Sequence, residues 1–131
     1  MKINIAFLII SKKEKNVPYL ACINDGNKKF IPNFEFTNDS YPDLFEYARN
    51  RFKDITQLNA INLDGIGWSY LHMCGTLVKN NELYITYGTM IPNTLNVKDC
   101  EWINIIEAME KDFFEENVFK QLTYCFNDIS R

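Results

Sequence analysis

Three acidic residues with the chemistry of metal ligands lie in or near one predicted helix. Glu46, Asn50 and Asp54 follow one another at four-residue spacing, which places them on one helix face, and Glu35 lies upstream. Hard divalent cations such as Mg²⁺ bind carboxylate oxygens, so Glu35, Glu46 and Asp54 are the candidate metal ligands and catalytic residues. A solvated helix face is the commoner explanation of such a pattern, because Asp and Glu are mostly exposed.

The same segment also carries positive charge, at Arg49, Arg51 and Lys53. An arginine can hold a phosphate group directly through its forked N–H donors. Arg51 is therefore a candidate ligand-binding residue for a phosphate-bearing molecule. The simpler interpretation is a set of exposed charges that pair with acids along the helix.

A third candidate group is the aromatic face of a predicted strand, on which Trp68, Tyr70 and His72 alternate with other residues. A base or another flat ligand could stack on one ring while a neighbour donates a hydrogen bond, so these three are candidate ligand-binding residues. Core packing is the more frequent role of such rings. His72 is the only histidine, so neither zinc binding nor a mechanism with two imidazoles is expected.

Cysteine spacing, net charge and the length of apolar runs predict the compartment of the protein and exclude some classes of partner. Cys22, Cys74, Cys100 and Cys125 form no C-x-x-C pair, which indicates reduced thiols in a cytoplasmic protein. The formal net charge of −3 predicts no extended nucleic-acid footprint. The longest apolar run, residues 5–10, is far shorter than the roughly 20 residues of a membrane-spanning helix, so no membrane partner is expected.

The elements that must position these residues follow from periodicity and turn chemistry. The length of 131 residues predicts one domain, residues 1–131. Pro32 should break the third strand because it lacks an N–H, and Asp43 or Ser40 should cap the first helix. Strands are predicted over 3–10, 18–23, 29–36, 68–78, 82–90 and 100–103, and helices over 43–57, 105–111 and 115–126. This order predicts an α+β domain.

Three segments in this order suggest a family. Residues 29–35 read KFIPNFE, residues 48–58 read ARNRFKDITQL, and residues 100–108 read CEWINIIEA. Together they resemble the Nudix fold, in which a W-x-x-P-G-G-like turn leads into the Nudix-box helix and a late strand carries a tryptophan. The resemblance spans nearly the whole chain. It implies a mixed β-sheet sandwiched between helices.

The resemblance also gives a register against the Nudix box when Phe52 and Leu58 take its two apolar positions. The register then puts Arg51 at the Glu of the motif's Arg-Glu pair, Asp54 and Ile55 at its paired Glu residues, and Gln57 at the Gly that follows them. Only Asp54 keeps a ligand-type side chain, and an arginine at a ligand position would repel a cation. The box is therefore interpreted as degenerate.

A degenerate box implies a non-catalytic Nudix-like domain that binds a nucleotide-like ligand or a protein partner, with no cofactor expected. The alternative is a divergent hydrolase that cleaves a nucleoside diphosphate derivative. It would hold Mg²⁺ at Glu35, Glu46 and Asp54 and use Asp99 or Glu101 as the base. Self-association through exposed apolar surface, as a homodimer, is a third alternative.

Overall fold

The computed structural model describes residues 2–14, 17–26, 28–36, 43–57, 71–91, 94 and 96–110. In this part of the chain there are seven strands and two helices. In chain order they are β1 (Lys2–Glu14), β2 (Val17–Asp25), β3 (Lys28–Phe30), β4 (Asn33–Glu35), α1 (Leu44–Thr56), β5 (His72–Lys79), β6 (Glu82–Ile91), β7 (Glu101–Asn104) and α2 (Ile105–Glu110). The predicted helix over 115–126 and the first residues of the strand predicted over 68–78 lie outside the described residues.

The central strand is β1, whose apolar run is buried on both faces. Residues 5–10 are each at most 2% exposed, as expected for a continuous run of apolar residues rather than an alternating one. One edge of β1 pairs in parallel with β6, from Lys2 opposite Glu82 to Ser11 opposite Ile91. The other edge pairs with β4 near its start and with β2 near its end. β1 therefore organises the whole sheet.

The strand order is β3-β2-β1-β6-β5, with β4 also on β1 and β7 also on β2. The strands predicted over 68–78 and 82–90 correspond to β5 and β6, which pair as an antiparallel hairpin. Its turn residues, Asn80 and Asn81, have φ values of 52° and 61°, the left-handed conformation that a two-residue type I′ turn requires. Asparagine adopts this conformation more readily than most residues, which explains why two of them stand there.

Two strand boundaries were predicted with different success. The break at Pro32 is confirmed, because β3 ends at Phe30 and pairs with β2, whereas β4 begins at Asn33 and pairs with β1. The predicted end of β1 at residue 10 is wrong, since the strand continues to Glu14. Pairing of Glu14 with Val17 on β2, after a register shift, gives this polar end a ladder partner.

Helix α1 begins and ends as its sequence predicts. Asp43 is the N-cap, and its carboxylate accepts hydrogen bonds from the backbone N–H groups of Phe45 (2.8 Å) and Glu46 (3.2 Å). Gln57 ends the helix in the left-handed conformation, with φ 65°, and its N–H donates to the Lys53 carbonyl at 2.7 Å. The other predicted cap, Ser40, lies outside the described residues.

The core consists of two layers, one on each face of the sheet. On one face α1 packs against β1, and on the other α2 packs against the alternate residues of the same strand. The first cluster includes Ile5, Phe7, Ile9, Tyr47, Ala48, Phe52 and Ile55, and the second includes Ala6, Leu8, Ile10, Ile105 and Ala108. The result is the α+β sandwich that the sequence predicts.

Two hydroxyl groups in this core, those of Ser11 and Thr89, are buried without a hydrogen-bond partner among the described residues. Such a group carries its desolvation cost uncompensated. Replacing Thr89 by the isosteric valine should raise the free energy of unfolding by about 1 kcal/mol. Denaturant unfolding measures this directly.

Thr86 supplies the matched control for that substitution. It is fully buried on the same strand and has an interaction partner. Thr86→Val should therefore lower stability, whereas Thr89→Val should not. Equal losses for the two variants would contradict the assignment.

Candidate functional site

The candidate site centres on Arg51, whose guanidinium packs over two aromatic rings. Its central carbon is 5.2 Å from the centroid of the Phe34 ring and 5.4 Å from that of Tyr47. Both distances lie within the range of cation–π attraction. The Nε atom also donates a hydrogen bond to the Tyr47 hydroxyl at 3.2 Å. Phe34 and Tyr47 form what we call the aromatic cradle of Arg51.

Packing against the core fixes the aromatic cradle. The Phe34 ring meets Phe7 of β1 at a centroid distance of 6.2 Å, and Phe36 meets Tyr47 edge to face at 5.1 Å. Phe7 in turn packs on Phe52 of α1 at 5.9 Å. Because rings held in this way have little rotamer freedom, the guanidinium rests on a rigid base.

The Tyr47 hydroxyl links helix α1 to strand β4. It donates to the backbone carbonyl of Glu35 at 2.6 Å and accepts from Arg51 Nε. Tyr47 and Arg51 are four residues apart, so they face each other along the helix. The Tyr47 hydroxyl thus donates one hydrogen bond to the sheet backbone and accepts one from the arginine.

The terminal nitrogens of Arg51 remain available to a ligand. The side chain is 43% exposed, and Nη1 lies 3.9 Å from Oδ2 of Asp54, which is too far for a hydrogen bond. The Nε donor is already hydrogen-bonded to the Tyr47 hydroxyl, whereas the Nη atoms form no hydrogen bond to the described residues. The Nη end of the fork can therefore donate two converging hydrogen bonds to one oxyanion.

The predicted metal ligands are spread along the surface. Glu46 and Asp54 are exposed on α1, and the carbonyl of Glu46 accepts a hydrogen bond from the Asn50 side chain at 2.8 Å. Glu35 is exposed at the end of β4. Across the described part of the chain, no three His, Cys, Asp or Glu side chains are grouped to hold a metal ion. Their role as ligands stays a prediction.

The two predicted bases lie near a different feature. Asp99 is in the turn before β7, with φ 62°. Glu101 of β7 accepts a 2.7 Å hydrogen bond from Nζ of Lys29 on β3. The Lys29 side chain is only 15% exposed, so this ion pair is partly shielded from water. It lines a groove of about 440 Å³ together with Tyr19 and Trp102. No local pattern in the sequence predicts this pair, because its partners are 72 residues apart.

The aromatic candidates are described only in part. Trp68 and Tyr70 lie outside the described residues, and His72 is described only through its backbone at the start of β5. Trp102 is partly buried against the core cluster beneath α1. Of the four predicted ligand-binding residues, Arg51 is therefore the one whose side-chain contacts the structure describes.

The aromatic cradle was not predicted from the sequence. The spacing of Tyr47 and Arg51 was a usable signal, since residues four apart on a helix are neighbours. Phe34 carried no such signal, because only the pairing of β4 with β1 brings it beneath α1.

Structural comparison identifies the fold. No protein-family model matches the sequence, and no curated protein matches it significantly. Solved structures match over nearly the whole chain. An Ap4A hydrolase from C. elegans has 10% identity, covers 98% of this chain and 97% of its own, and gives a TM-score of 0.67.

Two further structures extend the comparison. The NUDIX domain of Shewanella oneidensis NrtR, complexed with ADP ribose, has 9% identity, covers 92% of this chain and 85% of its own, and gives a TM-score of 0.64. The C-terminal domain of mouse MUTYH, in complex with human PCNA, has 7% identity, covers 98% and 88%, and gives 0.65. The chain therefore has the Nudix fold, as its sequence predicted. Identities this low show the fold alone.

No helix among the described residues is long and apolar enough to cross a membrane.

The described cysteines are poorly suited to nucleophilic chemistry. Burial is the largest cause that raises the pKa of the Cys22 thiol, and burial together with the Asp99 charge raises the pKa of Cys100 to about 11. The thiolate is the reactive form, so both groups are protonated and unreactive at neutral pH.

Alkylation kinetics test this assignment of the cysteines. At pH 7.5, iodoacetamide should modify Cys100 about 100-fold more slowly than a cysteine with the ordinary pKa of 9.0, because its thiolate population is lower by about that factor. Cys22, which is fully buried, should react only when the protein unfolds. Peptide mass spectrometry resolves the two positions. Rapid modification of either in the native protein would contradict the assignment.

A double-mutant cycle tests the coupling of Arg51 to Tyr47. Tyr47→Phe keeps the ring but removes the hydroxyl that joins Arg51 to the Glu35 carbonyl, and Arg51→Met removes the guanidinium. The two substitutions should be non-additive in the free energy of unfolding by about 0.5–1 kcal/mol. Additive effects would mean that the hydroxyl does not hold the arginine.

Proposed function

We propose that this chain is a non-catalytic binding module in which Arg51 contacts a phosphate group of a nucleotide-like ligand directly. The observation that carries the proposal is a half-exposed guanidinium held by the aromatic cradle with its Nη end free of hydrogen bonds to the described residues. Forked N–H donors match the oxygens of a phosphate group in geometry and in charge.

Preorganisation strengthens the proposal. A free arginine side chain loses considerable rotamer entropy when it binds a ligand. Here Arg51 is already ordered before a ligand binds, because it stacks on Phe34 and Tyr47 and donates a hydrogen bond from Nε. Less rotamer entropy is therefore lost on binding. The chain thus presents a positive charge in a defined orientation.

The position of Arg51 in the motif supports a binding role over a metal-dependent one. In the register of the resemblance, Arg51 stands where the Nudix box has the Glu of its Arg-Glu pair. The left-handed Gln57 favours this register, because the motif has glycine there and glycine adopts that conformation most easily. A guanidinium at that place would repel Mg²⁺ but attract the phosphate that Mg²⁺ would otherwise hold.

The comparisons suggest which ligand to try first. The NrtR domain with a similar fold was solved with ADP ribose, a ligand with a diphosphate and an adenine. ADP ribose is therefore the probe for this chain, and we infer that the chain binds a nucleotide-like ligand of the same kind.

A protein partner is the second candidate. The MUTYH domain of similar fold was solved in complex with PCNA. In this chain the exposed large apolar side chains among the described residues are Met73, Val78, Ile106 and Met109. Exposed apolar surface of this kind favours a protein contact or a homodimer.

The divergent hydrolase remains the alternative within the same fold, and the fold similarity to an Ap4A hydrolase is compatible with it. It needs Mg²⁺ held by Glu35, Glu46 and Asp54. Calorimetric titration with and without Mg²⁺, and an assay of diphosphate cleavage, separate this alternative from the binding module.

The proposed function predicts binding without a metal. ADP ribose and ADP should bind in the presence of EDTA, and Arg51→Gln should weaken that binding about 10- to 100-fold through the loss of charged hydrogen bonds. Arg49→Gln is the matched control, because Arg49 is an exposed arginine on the same helix and should leave the affinity unchanged.

Two results would contradict this function. Loss of all binding in EDTA, together with turnover in Mg²⁺, would establish the hydrolase instead. Equal losses for the Arg49 and Arg51 variants would show that general charge, rather than the aromatic cradle, attracts the ligand.

A further inference from the structure

Asp54 is a charged group beside Arg51, one helical turn further along α1. Its carboxylate oxygen Oδ2 lies 3.9 Å from Arg51 Nη1, and its side chain is 65% exposed. The pair therefore attracts through charge but forms no hydrogen bond. Exposed pairs of this geometry are weak and are screened by salt.

We propose that Asp54 is a displaceable counter-ion that competes with the ligand for Arg51 and so sets the affinity of the phosphate site. This inference rests on the proposed function, since it concerns the same arginine. It gives the acid a role opposite to that of a metal ligand: Asp54 would weaken the binding of an anion rather than support it.

The aromatic cradle explains why the pair stays loose. Nε of Arg51 donates to Tyr47, and the guanidinium lies against two rings. The arginine therefore cannot swing towards Asp54 to form the close, two-bonded pair that Arg and Asp usually prefer. Asp54 neutralises part of the charge while leaving the Nη donors open.

An incoming phosphate must share this position with Asp54. Its oxygens would lie within about 3 Å of the Nη atoms, which brings them close to the carboxylate. Two anions beside one cation repel each other, so Asp54 has to rotate away or its charge opposes binding. Its exposure allows that rotation at low cost.

The surroundings of Asp54 do not favour a metal. A divalent cation on this carboxylate would lie near the positive guanidinium. Within the described residues, Asp54 also belongs to no group of three metal-ligating side chains. Both observations agree with a counter-ion.

The experiment titrates inorganic diphosphate into the wild-type protein and its variants by calorimetry, in EDTA at constant ionic strength. Asp54→Asn should bind about two- to fivefold more tightly than wild type, the range expected when a weak exposed ion pair is removed. Glu46→Gln is the matched control, because it removes one negative charge from the same helix away from Arg51. It should change the affinity less than Asp54→Asn does. Raising the NaCl concentration should shrink the difference between Asp54→Asn and wild type.

The outcomes are distinguishable. If neither wild type nor Asp54→Asn binds diphosphate, the proposed function fails and this inference fails with it. If wild type binds and Asp54→Asn binds equally or more weakly, the inference alone is overturned. If binding requires Mg²⁺ and Asp54→Asn abolishes it, Asp54 is a metal ligand and both proposals are wrong. Asp54→Ser provides a second variant, for which the same gain in affinity is expected.

Discussion

Strand β1 is the constraint on which the rest of the structure depends, because both of its faces are covered and both of its edges pair with other strands. Residues 5–10 are buried beneath α1 on one side and α2 on the other. The parallel ladder to β6 occupies one edge, and β4 and β2 divide the other. Each neighbouring element is thus positioned by a pairing or a packing contact with this one strand. A polar substitution in it would disturb both layers at once.

The candidate site follows from that arrangement. β4 is only three residues long, yet its pairing with β1 brings Phe34 opposite Ile5 and onto the face that α1 covers. Phe7 of β1 then contacts the rings of both Phe34 and Phe52. The guanidinium of Arg51 therefore rests on aromatic side chains that the central strand holds in place. A binding site that is rigid in this way loses little conformational entropy when a ligand binds, which favours affinity.

Local patterns in the sequence were sufficient for most of the elements and insufficient for the contacts between them. The break at Pro32, the cap at Asp43 and the Asn80-Asn81 turn each depend on one or two residues, and all of them could be read from residue type. The extension of β1 to Glu14 could not, because a polar segment becomes a strand there only through pairing with β2. The aromatic cradle was missed for the same reason. Phe34 and Arg51 meet only after β4 joins β1, whereas Tyr47 and Arg51 were already neighbours by helical spacing.

The proposed function requires Arg51 to make the contact with phosphate that a metal would otherwise make. The most direct measurement is a crystal structure of the protein with ADP ribose, grown in EDTA. A phosphate oxygen should lie within about 3 Å of the Arg51 Nη atoms, with the guanidinium still in contact with Phe34 and Tyr47. A phosphate that contacts no part of Arg51, or one bound only after Mg²⁺ is added at Glu35, Glu46 and Asp54, would contradict it.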